Sequence, residues 1–574
     1  MKPILLLFIL NASWQFGLAQ LTRFEKSGGL ESAPYTEAID WYRQLAKKSK
    51  QIKIMTMGPT DAGYPLHLVL LSADGSFEPR QWKKQKKAIY FILNGIHPGE
   101  PDGIDASMML ARDYVKQKIK LPSNVVIAII PVYNIGGALN RNAYSRVNQN
   151  GPLQYGFRGN AQNLDLNRDF TKCDSRNAKS FIEIFQFLQP DVFIDTHVSD
   201  GADYQHTMTL ITTQYDKLGG ELGSWLKNEF EPGIYADMKK KKWDLIPYVD
   251  FGNTDFSKGM KMFYETPRYS SGYAALFNTI GFISETHMLK PFKDRVLATY
   301  DLLKTLADKT SQNAEAILKM RKKANEGVSA QKQFALSWQC DSSQSVKIEF
   351  KGYESDSMMS QATGLMKMYY NHRKPFTRNI TFYNSYHPAN WIAAPKTYII
   401  KRGYYEVADL MALNGVKMRT LQNDSTMLVT SYQVESYKSY NSPYEKHHKN
   451  YNVTIQSRTQ SVQFLKGDFM IDLNQPANRF IIEMLEPTGD DSYFSWNFFD
   501  AILQQKEGYS DYRWVELAAG VLQKDSTLQQ ALETRKNKDS LFAKNSTAIL
   551  DFIYRHSPYF ENAFKQYPVY RVER

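Results

Sequence analysis

Residues 88–100 read Ala88-Ile89-Tyr90-Phe91-Ile92-Leu93-Asn94-Gly95-Ile96-His97-Pro98-Gly99-Glu100. Six apolar positions without a polar interruption, closed by a glycine-containing turn, fit a strand buried on both faces. Residues 125–131 have the same texture, and residues 104–118 between them are patterned as a helix. Strands alternating with helices predict an α/β fold, a sheet flanked by helices. Two further strand-like stretches end in ionisable groups: Val192-Phe193-Ile194 runs into Asp195-Thr196-His197, and Gly281-Phe282-Ile283-Ser284 runs into Glu285. Such sheets place their ligand crevice beyond the carboxyl ends of the strands. His97, Glu100, His197 and Glu285 are therefore expected to converge. Mixed imidazole and carboxylate donors suit zinc, which in catalytic sites takes three protein ligands and keeps a fourth position open.

Working outward, residues 34–50 predict a helix, residues 52–57 and 66–71 strands, and residues 293–323 long helical sequence. Beyond about residue 327 the texture changes to β-favouring segments at 346–350, 397–401, 426–434, 451–457 and 479–484, separated by polar turns. The expected organisation is a leader over residues 1–19, a catalytic α/β unit over 20–326, a mostly β, sandwich-like unit over 327–495 and a helical tail over 496–574. The aromatic-rich residues 493–499 read as core, and the C-terminal half as a cover that shapes the crevice.

The 574 residues, 43% hydrophobic and 23% charged, exclude a lone small binding module and a disordered chain. The net charge of +12 is spread as short runs such as residues 239–242, with no nucleic-acid recognition motif, so a basic surface is expected and no nucleic-acid partner. The opening Met1-Lys2-Pro3, the apolar run at 4–10 and Gly17-Leu18-Ala19 predict a secretory leader cut after Ala19, hence a periplasmic or extracellular product. No other segment is long and apolar enough to span a bilayer. Cys173 and Cys340 are the only cysteines, which excludes a disulfide scaffold and leaves open whether the two pair.

The ordered set His97-x-x-Glu100, Asp165-Leu166-Asn167-Arg168, His197 and Glu285 resembles the zinc carboxypeptidase family over about residues 35–306. The resemblance implies one zinc ion held by His97, Glu100 and His197, with Glu285 as general base toward the metal-bound water. It implies that Asp165 orients His97, and that Asn167 and Arg168 bind the free C-terminal carboxylate of a peptide substrate. An arginine stabilising the oxyanion is expected within residues 140–146, Arg146 first and Arg141 next. A tyrosine closing on substrate is expected among Tyr264, Tyr269 and Tyr273, with Tyr273 favoured. His206, His287 and the His447-His448 pair are expected to be structural. Two other readings stay open: a zinc deacylase or amidase acting on small N-acyl amino acids or cell-wall peptides, and a non-catalytic binder of peptide or glycan.

Overall fold

The computed structural model describes residues 20–249 and 258–573; the leader read at residues 1–19 lies outside them. Strands β1 (Ile52–Pro59), β2 (Pro65–Leu71), β3 (Ala88–Leu93), β4 (Val125–Ile130), β5 (Val192–Ser199), β6 (Met208–Thr212) and β7 (Ile246–Pro247) build one sheet. A short β8 (Met260–Lys261) belongs elsewhere, and β9 (Ile280–His287) completes the sheet in the order β1-β2-β4-β3-β5-β9-β6-β7. Its centre is parallel (β4, β3, β5, β9), while β1, β2 and β6 join antiparallel, so the sheet is mixed.

The uninterrupted apolar runs are explained by two cores, one on each face, because successive strand side chains point to opposite sides. Ala88, Tyr90, Ile92, Val125, Ile127 and Ile129 face one core. There they meet helices α1 (Tyr35–Ala46) and α2 (Asp102–Val115). Their alternates Ile89, Phe91, Leu93, Val126, Ala128 and Ile130 face the other core, with α3 (Arg176–Leu188) and α4 (Ser270–Ala275). Each large side chain buried this way contributes about 1.5–3 kcal/mol. The helical sequence after the sheet is two helices, α5 (Phe292–Gln312) on the first core and α6 (Ala314–Ala330). They part at Asn313, whose φ of −114° and ψ of 12° leave the helix.

The C-terminal half adds β10 (Gln333–Cys340), a long hairpin of β11 (Val346–Met359) and β12 (Met366–Tyr383), and β13 (Tyr386–Ala393). β10 pairs with β13, and β12 pairs with β8. Then follow β14 (Thr397–Ile400), α7 (Tyr405–Leu413), β15 (Arg419–Thr420), β16 (Ser425–Ser439), β17 (Asn450–Phe464), β18 (Phe469–Asp472) and α8 (Asn478–Leu485). The segment 479–484, expected as a strand, is helix α8 with every side chain buried; a short apolar run suits either structure, and its surroundings decide. In the tail, α9 (Asp511–Lys524), α10 (Ser526–Lys538) and α11 (Ser546–Arg555) pack on Trp514 and its neighbours. A final strand, β19 (Val569–Val572), then returns between β14 and β16 in the six-stranded sheet β15-β18-β14-β19-β16-β17.

One face of that sheet, with Tyr398, Ile400, Tyr432, Val434 and Ile471, lies in the same core as Phe181 and Phe185 of α3. The opposite face buries Ile399, Val429, Phe464, Met470 and Tyr570. Cys173 is buried, Cys340 is partly exposed, and both are free thiols. No helix among the described residues is long and apolar enough to cross a membrane.

Candidate active site

After β3 the chain reverses through Gly95, whose φ of 67° favours glycine, and delivers His97 and Glu100 ahead of α2. His197 and Glu285 come from adjacent parallel strands and are register partners across β5 and β9. His97, Glu100 and His197 are all buried, and one donor atom from each lies within 4.8 Å of the others. Nδ1 of His97 is 3.2 Å from Glu100 Oε1, and Nδ1 of His197 is 3.2 Å from Glu100 Oε2. Donors about 2.0–2.1 Å from a tetrahedral zinc ion sit roughly 3.3 Å apart, so the set fits such an ion.

The outward ring nitrogens are also committed. His97 Nε2 donates to Asp165 Oδ1 at 2.9 Å, and His197 Nε2 to Asp195 Oδ2 at 2.9 Å. Each carboxylate fixes the tautomer that leaves Nδ1 free to bind a cation. Burial opposes the Asp165 charge, but His97 and Arg158 outweigh it and hold the carboxyl well below its usual range. Burial likewise opposes protonation of His197, yet Asp195 pushes the imidazole well above its ordinary value. Glu100 is drawn down against burial by His97 and Arg146. Glu285 moves the other way. Burial, only partly offset by His197, raises its carboxyl to about 8, and that carboxyl makes no hydrogen bond among the described residues.

The remaining expected residues divide. Asn167 and Arg168 follow Asp165 on a short 3-10 turn. Asn167 is buried, its Oδ1 without a partner among the described residues, and the Arg168 guanidinium lies 4.5 Å above the Tyr269 ring. Arg146 reaches the cluster but is engaged there: Nη1 donates to Glu100 Oε1 at 2.8 Å and Nη2 to the Val198 carbonyl at 3.3 Å. Arg141 points elsewhere, to the carbonyls of Ser32 and Gln154.

The Tyr273 expectation is corrected. Its side chain is fully buried among Phe170, Phe181 and Phe185, and its hydroxyl donates to Asn414 Oδ1 at 2.7 Å, so it cannot swing onto a ligand. Tyr264 stacks on Tyr386. Of the three tyrosines, Tyr269 is the one beneath Arg168.

Sequence reasoning missed Asp195 and Arg158. Asp195 stood two positions before His197 in a strand, a spacing that puts both side chains on one face. Arg158 had no such signal. Its guanidinium, about half exposed, bonds Asp165 and lies 3.4 Å from His97 Nδ1 and 3.7 Å from Glu100 Oε1.

Solved structures of metallocarboxypeptidases match about half of this chain. The metallo-carboxypeptidase from Burkholderia cenocepacia is 13% identical, with a TM-score of 0.36, over 49% of this chain and 70% of that one. The carboxypeptidase A from Helicoverpa armigera is 12% identical, TM-score 0.36, over 50% and 75%. The metallo-carboxypeptidase from Pseudomonas aeruginosa, in complex with (2-guanidinoethylmercapto)succinic acid, is 12% identical, TM-score 0.35, over 48% and 69%. No protein-family model and no curated protein matches the sequence.

Proposed function

We propose that the protein is a zinc-dependent metallocarboxypeptidase that hydrolyses the C-terminal peptide bond of peptides with a free terminal carboxylate. The observation that carries this reading is the convergence of His97, Glu100 and His197 beside Glu285. Residues 20–326 would be the catalytic unit, 327–495 the accessory unit and 496–574 the tail, with the leader directing the product to the periplasm or outside the cell.

Zinc, when bound by His97, Glu100 and His197, supplies a Lewis acid that polarises the scissile carbonyl and makes a neighbouring water more acidic. Glu285 takes the proton of the attacking water and returns it to the leaving amine, a role open to a carboxyl that no hydrogen bond among the described residues occupies. Arg158, half exposed beside the donor cluster, stabilises the oxyanion, while Arg146 holds Glu100 in place. Asn167 and Arg168 receive the substrate's carboxylate, which a guanidinium can meet with two parallel hydrogen bonds.

The test is product analysis on a defined peptide with and without chelator. Hydrolysis should stop on chelation and return with zinc. Glu285→Gln should retain zinc by metal analysis while turnover falls about 100- to 10,000-fold. Arg158→Ala should lose about 100- to 1000-fold. Turnover that survives chelation rejects the reading.

A further inference from the structure

The loop between β16 and β17 reaches from the C-terminal sheet to residues 165–174. Tyr444 and His447 exchange backbone hydrogen bonds of 2.8 and 3.0 Å, so Glu445 and Lys446 are the central residues of a tight turn. Their φ angles are 49° and 74°. Two successive left-handed residues define a type I′ turn, which prefers Asn-Gly because a side chain there costs about 1–2 kcal/mol. Glu and Lys stay in that conformation because contacts outside the turn hold it. Glu445 Oε2 accepts the Asp165 amide at 2.7 Å, and Tyr444 Oη accepts from Arg168 Nε at 2.9 Å. His447 Nε2 meets Asp174 Oδ2 at 2.8 Å, and the Tyr444 ring stacks on buried Trp496 with planes 15° apart. Three of the four turn residues thus grip residues 165–174, the segment that carries Asp165, Asn167 and Arg168.

We propose that Tyr444 is a positioning residue that aims Arg168 at the substrate's terminal carboxylate; this rests on the carboxypeptidase reading. A guanidinium offers five N–H donors in a rigid fork. Tyr444 takes Nε, the Asn167 carbonyl takes one Nη1 hydrogen at 2.8 Å, and Tyr269 covers one face. What remains is the Nη edge, and Nη2 has no hydrogen-bond partner among the described residues. Asp165 Oδ2 stands 4.0 Å from Nη1 and competes for the same donors. With Nε engaged, the guanidinium stays oriented. Without that bond it is free to turn toward Asp165 and away from a ligand.

Tyr444→Phe in the full chain removes the hydroxyl and keeps the ring on Trp496. Steady-state kinetics on a peptide acid and on its C-terminal amide read the effect. For the acid, KM should rise roughly tenfold, the loss expected of one hydrogen bond to a charged group, with kcat within about twofold. Hydrolysis of the amide should be unchanged, so the acid-over-amide preference falls by the same factor. Thermal unfolding of the two proteins should coincide, which separates positioning from folding. If the wild type prefers the acid and Tyr444→Phe prefers it equally, the Tyr444 inference is wrong while the carboxypeptidase reading stands. If the wild type hydrolyses acid and amide alike, the assignment of Asn167 and Arg168 to the substrate's carboxylate fails and takes this inference with it.

Discussion

At the scale of single residues, the donor cluster is a network in which one charged side chain holds several others. Glu100 serves both imidazoles, Arg146 and the Val198 amide at once. The donor types were readable from His97-x-x-Glu100 and His197, since chemistry belongs to the residue. Their partners were less so: Asp165 came through the family resemblance, Asp195 needed the strand period, and Arg158 is placed only by a loop. Asp105, one helical turn beyond the ligands, supplies a separate prediction. It is fully buried, one carboxyl oxygen accepts the Ala33 amide, the other has no partner among the described residues, and burial raises its carboxyl to about 7. An unfolded aspartate releases its proton near pH 3.9. Between about pH 4 and 7 the folded chain therefore binds the extra proton, and stability falls as pH rises through that window. Asp105→Asn should match the wild type near pH 4 and exceed it at pH 8 by up to roughly 4 kcal/mol in denaturant unfolding. A difference independent of pH would show that Asp105 is ionised throughout.

At the scale of elements, the central strands were legible because burial on both faces demands an uninterrupted apolar run. Helix α8 was not, since the short apolar run Phe480-Ile481-Ile482 suits a strand as well as a helix and its surroundings decide. The split between α5 and α6 at Asn313 escaped for a related reason: helical composition continues through it. The turn at Glu445 and Lys446 carries no sequence signal for its type, because neither residue favours positive φ. Lys446 is exposed and makes no hydrogen bond or ion pair among the described residues. Lys446→Gly should relieve local strain of about 0.5–1 kcal/mol. Amide exchange at Tyr444 and His447 should then slow about two- to fivefold, with KM for the peptide acid unchanged. Faster exchange would mean that Lys446 itself braces the turn.

At the scale of the whole molecule, the two halves share a core. Phe277 stacks on Phe480, Lys217 pairs with Glu483 at 3.1 Å, Arg479 donates to the Ala275 carbonyl at 2.7 Å, and Tyr273 bonds Asn414. A chain ended at residue 326 would uncover the apolar side of α3 and leave these polar groups unpaired. It should aggregate on gel filtration under conditions where the full chain elutes as one species. A soluble, cooperatively unfolding fragment would show that the cover is dispensable for folding.

The sequence by itself determined the α/β character of the first half, the donor types and the strands that carry them, because periodicity and side-chain chemistry are local properties. Only the tertiary structure decided that Arg146 and Arg158 both reach the donor cluster, that Tyr273 is core, that β19 returns to the sheet, and that Tyr444 stands on Arg168 across 276 residues of chain. Those outcomes depend on which surfaces meet, and the free energy of such meetings belongs to pairs of segments that neither segment encodes alone.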